Sequence, residues 1–178
     1  YEAEDYAKAL EALEQARDSK PSTPQLVPLG MLNAGQAAAQ LEKWDASVDW
    51  LEAAREQFPD YAGRNQVEYE LAWGLTKLGK SETAMPLFEA LADRDSSPLG
   101  ARAQFMLGEL QFANREYEQA VRSFFKVSSG YQYPNSPAEY HPWQAESLFE
   151  AARCLEQLKR SSAAVKLYSE LAERFPDQ

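Results

Sequence analysis

Apolar side chains recur along the chain at helical spacing, and the same small-to-large step returns at a regular distance. A small residue is followed four positions later by a large one at Ala9/Leu13, Ser47/Leu51, Ala84/Phe88, Ala120/Phe124 and Ala164/Tyr168. The steps between the small residues are 38, 37, 36 and 44. Twelve residues before each of the last four stands another small residue: Gly35, Ala72, Gly108 and Ala152. Proline follows the first, second and fifth small residues by twelve positions, as Pro21, Pro59 and Pro176, and the third and fourth by fourteen, as Pro98 and Pro134. A period of this size marks an array of short structural units, so it is read before any chemistry.

The pattern predicts a series of helical hairpins. Residues four apart share one helix face, so a small residue lets two antiparallel backbones approach while the large one fills space a turn away. Proline then stops the second helix, because it lacks an amide hydrogen and crowds the preceding turn. The two stretches "LEAAREQFPDY" and "YSELAERFPDQ" end this way, with Phe58-Pro59 and Phe175-Pro176 as unit boundaries. Helices are expected over 2–18, 25–41, 44–58, 64–78, 82–94, 98–113, 117–130, 143–158 and 162–175. Pro86 falls within the fifth of these. A cap at Thr83 would place it in the first turn, where it loses no bond; otherwise it kinks the helix.

This grammar resembles the tetratricopeptide repeat, W-x2-L-G-x2-Y, then A-x3-F, then P. The fourth unit carries it in Leu107-Gly108, Tyr117, Ala120 and Phe124, and the third in Leu71-Ala72, Leu75, Ala84 and Phe88. The fifth carries it in Leu148, Ala152, Leu155, Ala164, Tyr168 and Pro176, and the second in Ala34-Gly35, Trp44, Leu51 and Pro59. Met31, Glu68, Gln104 and Leu148 stand where tryptophan often opens a unit. The resemblance implies an all-α fold, an α-solenoid of about four and a half hairpins wound into a right-handed superhelix. Its divisions are a half repeat at 1–21, then 22–60, 61–98, 99–134 and 135–178. The first unit holds only a second helix, with Tyr6, Ala9, Leu13 and Ala16, and an array buries each unit against its neighbours. The chain is therefore expected to be the C-terminal piece of a longer protein. The boundary idioms "FPD" and "YPNSP" are also similar to those of bacterial cell-envelope members of the family, the outer-membrane-assembly lipoproteins and Tol-Pal accessory proteins, which suggests a periplasmic setting.

Composition narrows the partners. The chain has 178 residues, 44% of them hydrophobic and 12% aromatic, which suits a folded core. Its 18 Lys and Arg against 28 Asp and Glu give a net charge of −10, which repels nucleic acid and anionic membrane surfaces. No apolar run reaches the roughly 18 residues of a membrane span, so no direct membrane insertion is expected.

Candidate chemistry is sparse. One histidine, His141, and one cysteine, Cys154, supply neither a Cys-His nucleophile with its orienting group nor the ligands of a zinc site. Cys154 reads as a buried filler. "DRDSSPLG" from Asp93 alternates acids but has Pro98 and Gln104 where a calcium loop needs glycine and glutamate. Ser97 reads instead as a helix cap. No catalytic residue, metal or cofactor is expected.

In this repeat family the first helix of each hairpin lines a concave groove that takes a protein or peptide. Carried onto this chain, the stripe reads Leu32/Gln36, Tyr69/Trp73, Phe105/Glu109 and Phe149/Arg153, with Phe112 and Glu156 one turn on. Tyr69, Trp73, Arg102, Phe105, Glu109, Phe112, Phe149 and Arg153 are thus the candidate groove, an aromatic strip whose arginines are available for a carboxylate or backbone carbonyl. The Lys and Asn set with which family members clamp a terminal carboxylate is missing. The segment from Tyr131 to Trp143, with Tyr133, Tyr140 and three prolines, is a second candidate surface. The expected function is a non-catalytic scaffold for protein interaction. The alternative is a structural spacer or homo-oligomeric element whose groove is filled by its own parent chain or a second copy.

Overall fold

In a computed structural model, residues 2–17, 24–131 and 134–176 are described. They form nine α-helices: α1 (Glu2–Arg17), α2 (Val27–Gln40), α3 (Trp44–Gln57), α4 (Arg64–Lys77), α5 (Ser81–Arg94), α6 (Pro98–Ala113), α7 (Tyr117–Ser129), α8 (His141–Gln157) and α9 (Ser161–Arg174). Single 3-10 turns, Pro24–Leu26 and Ala138–Tyr140, lead into α2 and α8. No strand occurs among the described residues. The boundary at Pro21 and residue Tyr133 of the long connection lie outside them, as does the side chain of Ala16.

The chain divides into two compact units, Tyr1–Leu87 and Phe88–Gln178. In the first, α2 packs on α1 and α3, and α3 on α4. Leu32, Ala38, Val48, Leu51, Val67 and Leu71 are buried between them. In the second, α7 packs against both α6 and α8, and α8 against α9. Phe124, Val127, Leu148, Ala151 and Cys154 form the heart of its core.

Two hairpins, α2/α3 and α6/α7, are built on a glycine of the first helix pressed by the large residue of the second. A β-carbon added to Gly35 would lie 2.6 Å from Leu51 Cγ, and one added to Gly108 would lie 2.7 Å from Phe124 Cε1. The large side chain thus sits on the glycine itself, closer than the expected gap a turn away. Ala72 and Ala152 are fully buried at the corresponding positions.

The turn inside each hairpin repeats as closely as the helices do. Glu42, Gly79, Arg115 and Lys159 all adopt positive φ, at 56°, 73°, 63° and 60°. In each case the amide of that residue donates to the carbonyl three positions back, and the next amide to the carbonyl five back, as in Glu42 to Ala39 and Lys43 to Ala38. This is the left-handed Schellman ending, which normally selects glycine. Only Gly79 satisfies that preference.

Hairpin boundaries are equally alike. Phe58 has φ −130° and ψ 62°, and Phe175 has φ −133° and ψ 61°. Each gives its amide to the carbonyl four back, Ala54 or Leu171, before the proline forces the chain out of the helix. At the start of α6, Ser97 Oγ accepts from the Leu99 amide at 3.2 Å, with Pro98 in the first turn. Thr83 does not cap α5: it is the third residue of that helix, so Pro86 lies in the interior. The amide missing from Pro86 removes the bond that would run to the Glu82 carbonyl.

The connection leading into α8 packs on its own unit. Tyr140 is buried, and its hydroxyl donates to the Ser96 carbonyl at 3.0 Å. Gln144 Nε2 donates to the Gly130 carbonyl at 3.4 Å, and Ser136 Oγ to Gln144 Oε1 at 2.9 Å.

Two predictions test these packing rules by thermal denaturation. Gly108→Leu should lower stability by about 1–3 kcal/mol, because three ring atoms of buried Phe124 already lie within contact distance. Gly30→Ala should raise it by about 0.5–1 kcal/mol, since a β-carbon there meets Leu13 at an ordinary 3.6 Å. At the turns, Gly79→Ala should destabilise while Arg115→Gly and Lys159→Gly stabilise, each by roughly 0.5–1 kcal/mol. The same sign at all three turns would contradict the left-handed assignment.

Candidate partner-binding surfaces

In the first unit, the candidate stripe lies on α4. Tyr69 is 1% exposed and belongs to the core of its unit. Trp73, one turn on, is half-buried, with Lys77 Nζ 4.4 Å from its ring centre. The same ammonium lies 5.8 Å from the Trp44 ring. Lys77 is placed there by the helix, four residues after Trp73, and the contact is a cation–π pair. Glu70 joins α2 to α4 by accepting from Gln36 Nε2 at 2.9 Å, and also accepts from Gln66 at 2.7 Å.

In the second unit the stripe lies on α6 and α8. Phe105 is 7% exposed, wedged between Phe124 and Trp143 at ring-centre distances of 5.4 and 5.6 Å. The exposed Arg102 lays its guanidinium 5.4 Å from the Trp143 ring centre. Phe112 is half-buried against Tyr117, and Arg153 lies over its ring at 5.0 Å. Phe149 is 44% exposed, braced at 5.8 Å by Tyr168 of α9. Seen this way, the candidate residues split: Tyr69 and Phe105 are packed, while Trp73, Phe112 and Phe149 keep open surface.

Electrostatics distinguish the second face. Arg153 Nη1 donates to both oxygens of buried Glu150, at 2.7 and 2.8 Å, so the two charges are paired within the helix. Glu109, facing the same pair, has a buried Oε1 with no hydrogen-bond donor among the described residues. Burial, and then the Glu150 charge, raise its carboxyl above the ordinary value of 4.5; Arg153 opposes this and Glu146 adds to it. Tyr168 is likewise pushed up, first by burial and then by the Glu156 carboxylate.

Sequence reasoning missed Glu146, Glu150, Tyr168 and Lys77. The i, i+3 spacing of Glu150 and Arg153 was the available signal for that pair. Tyr168 comes from a second helix, and no feature of the α8 stripe announces it. Burial pushes the Cys154 thiol up to about 12, which leaves it protonated and unreactive near neutral pH. No group of three or more His, Cys, Asp or Glu is arranged to hold a metal among the described residues. No helix among them is long and apolar enough to cross a membrane.

The tetratricopeptide repeat family profile matches residues 1–62 and 69–137, and a second tetratricopeptide profile matches 146–177. The chain belongs to the tetratricopeptide repeat family. No curated protein sequence matches it significantly. Among solved structures, MamA of strain AMB-1 superposes with a TM-score of 0.72 at 22% identity, over 99% of this chain and 93% of that one. MamA from Desulfovibrio magneticus RS-1 gives 0.73 at 18%, over 97% and 87%. YrrB, described as a TPR protein with an unusual peptide-binding site, gives 0.71 at 16%, over 98% and 80%. At these identities the likeness is one of fold.

The Glu109 environment yields a pH prediction. Its raised carboxyl means the folded chain holds that proton more tightly than the unfolded chain does, so the ionised form weakens the fold above the folded-state pKa. That penalty fades as pH falls through the folded-state value and is gone below the ordinary 4.5. Glu109→Gln should therefore melt above the wild type near pH 7.5, with the gap closing by about pH 4. A gap that is constant with pH, or a variant that is less stable at neutral pH, would contradict this placement.

Proposed function

We propose that the chain is a non-catalytic protein-interaction scaffold whose first-helix faces capture a peptide or a segment of a partner protein. The observation that carries this is Phe149, a large ring left 44% exposed yet fixed by Tyr168 on a face that also offers Phe112. A rigid, partly exposed aromatic costs little further entropy on binding and is the kind of side chain that dominates interface energetics. In the first unit Trp73, held beneath Lys77, has the same character. The buried thiol of Cys154 is consistent with a role that asks for no reaction. YrrB, whose fold is shared, is described as having a peptide-binding site.

The reading separates two kinds of aromatic. Trp73→Ala and Phe149→Ala should each reduce retention of partner in affinity capture from the native organism by about tenfold, with helicity by circular dichroism preserved. Phe105→Ala should instead lower the melting temperature, because a buried ring leaves a cavity worth roughly 3–5 kcal/mol. Undiminished retention by both Trp73→Ala and Phe149→Ala would count against the scaffold reading.

A further inference from the structure

We propose that the α6/α8/α9 face of the second unit selects a cationic partner segment, one in which a lysine or arginine sits beside apolar side chains. The inference rests on the scaffold reading and specifies its partner. The apolar part of the recognition comes from Phe149 and Phe112, which remain partly open. The charge around them is one-sided. Glu146 and Glu156 share the helical spacing of Phe149 and Arg153 along α8, Glu109 feels the charges of Glu146, Glu150 and Arg153, and Arg153 is bonded to both oxygens of Glu150 while lying over Phe112.

A partner carboxylate reaching Arg153 would settle beside Glu150, which already accepts from Nη1, and among the remaining acids. The arginine side chain is 43% exposed and already paired with Glu150, so repulsion from the other acids offsets what such a ligand gains. A partner ammonium or guanidinium meets the opposite situation. Glu109 Oε1 is buried without a hydrogen-bond donor among the described residues, and a cation arriving beside Phe149 lowers the local negative potential without having to touch it. The crowding that holds the Glu109 carboxyl up, burial and the neighbouring Glu150 and Glu146, is the field such a cation relieves. The net charge of −10 draws cationic segments to the chain generally, but among the described residues this face pairs a donor-less buried carboxylate oxygen with an exposed ring.

Fluorescence anisotropy tests this on the whole 178-residue chain. The probes are three amphipathic peptides with identical Leu and Phe positions and Lys, Gln or Glu at the flanking positions. The lysine peptide should bind about three- to tenfold tighter than the glutamine peptide at low salt, and the glutamate peptide weakest. Glu109→Gln combined with Glu146→Gln should remove most of the lysine preference. Glu11→Gln combined with Glu14→Gln, the same charge change on exposed positions of α1, should leave it intact. Phe149→Ala should weaken the lysine and glutamine peptides by one factor, leaving their ratio unchanged.

Equal binding of all three peptides, still weakened by Phe149→Ala, would overturn cation selection and leave the scaffold reading standing. An equal loss of preference in the α1 variant would reduce it to general charge attraction, and overturn it. No binding of the lysine peptide would overturn it and count against the face as a peptide site.

Discussion

The fold depends on one contact, a large side chain seated on a residue too small to hold it away. Leu51 over Gly35 and Phe124 over Gly108 set how closely the two helices of a hairpin approach. Once that distance is fixed, the remaining apolar positions of each helix meet neighbours at packing density. The turn must then reverse the chain within a few residues, which requires the left-handed residue at Glu42, Gly79, Arg115 and Lys159. Three of these are not glycine, so the packed hairpin carries their conformational cost. The repeat is in this sense held by its core and tolerated by its turns.

The same geometry decides which side chains remain for a partner. Side chains four apart on a first helix follow one another along a single stripe, but the stripe is wide, and neighbouring helices cover part of it. Phe105 is taken up between Phe124 and Trp143, whereas Phe149 stays 44% exposed beside Tyr168. Arginine is affected likewise. Arg153 is read from its position as available to a carboxylate, yet its Nη1 is paired with both oxygens of Glu150, which offsets its charge beside the aromatic edge. In the proposed scaffold, that one pairing changes which ligand charge the face favours.

Most of the architecture was legible in the sequence because it is written locally and repeatedly. The small-to-large step, the Phe-Pro ending and the Ser97-Pro98 helix start each depend on residues within a turn or two, and the helices lie close to where the pattern places them. Three features were not legible. Pro86 enters α5 as an interior residue because the helix begins at Ser81, ahead of Thr83. The left-handed turns are hidden by Glu, Arg and Lys, whose side chains give no sign of positive φ. Tyr69 and Phe105 share the helical period of Trp73 and Phe149, and only the covering helices tell a packed ring from an open one.

The most direct measurement is a double-mutant cycle on the seating contact itself, Gly108→Ala with Phe124→Leu, read by equilibrium unfolding. If Phe124 rests on Gly108, trimming the ring makes room for the new methyl, and the pair should couple by about 0.5–3 kcal/mol, the double variant being more stable than the sum of the singles predicts. Additive losses would contradict the account, because the two positions would then be energetically separate and the close approach of the helices would need another cause.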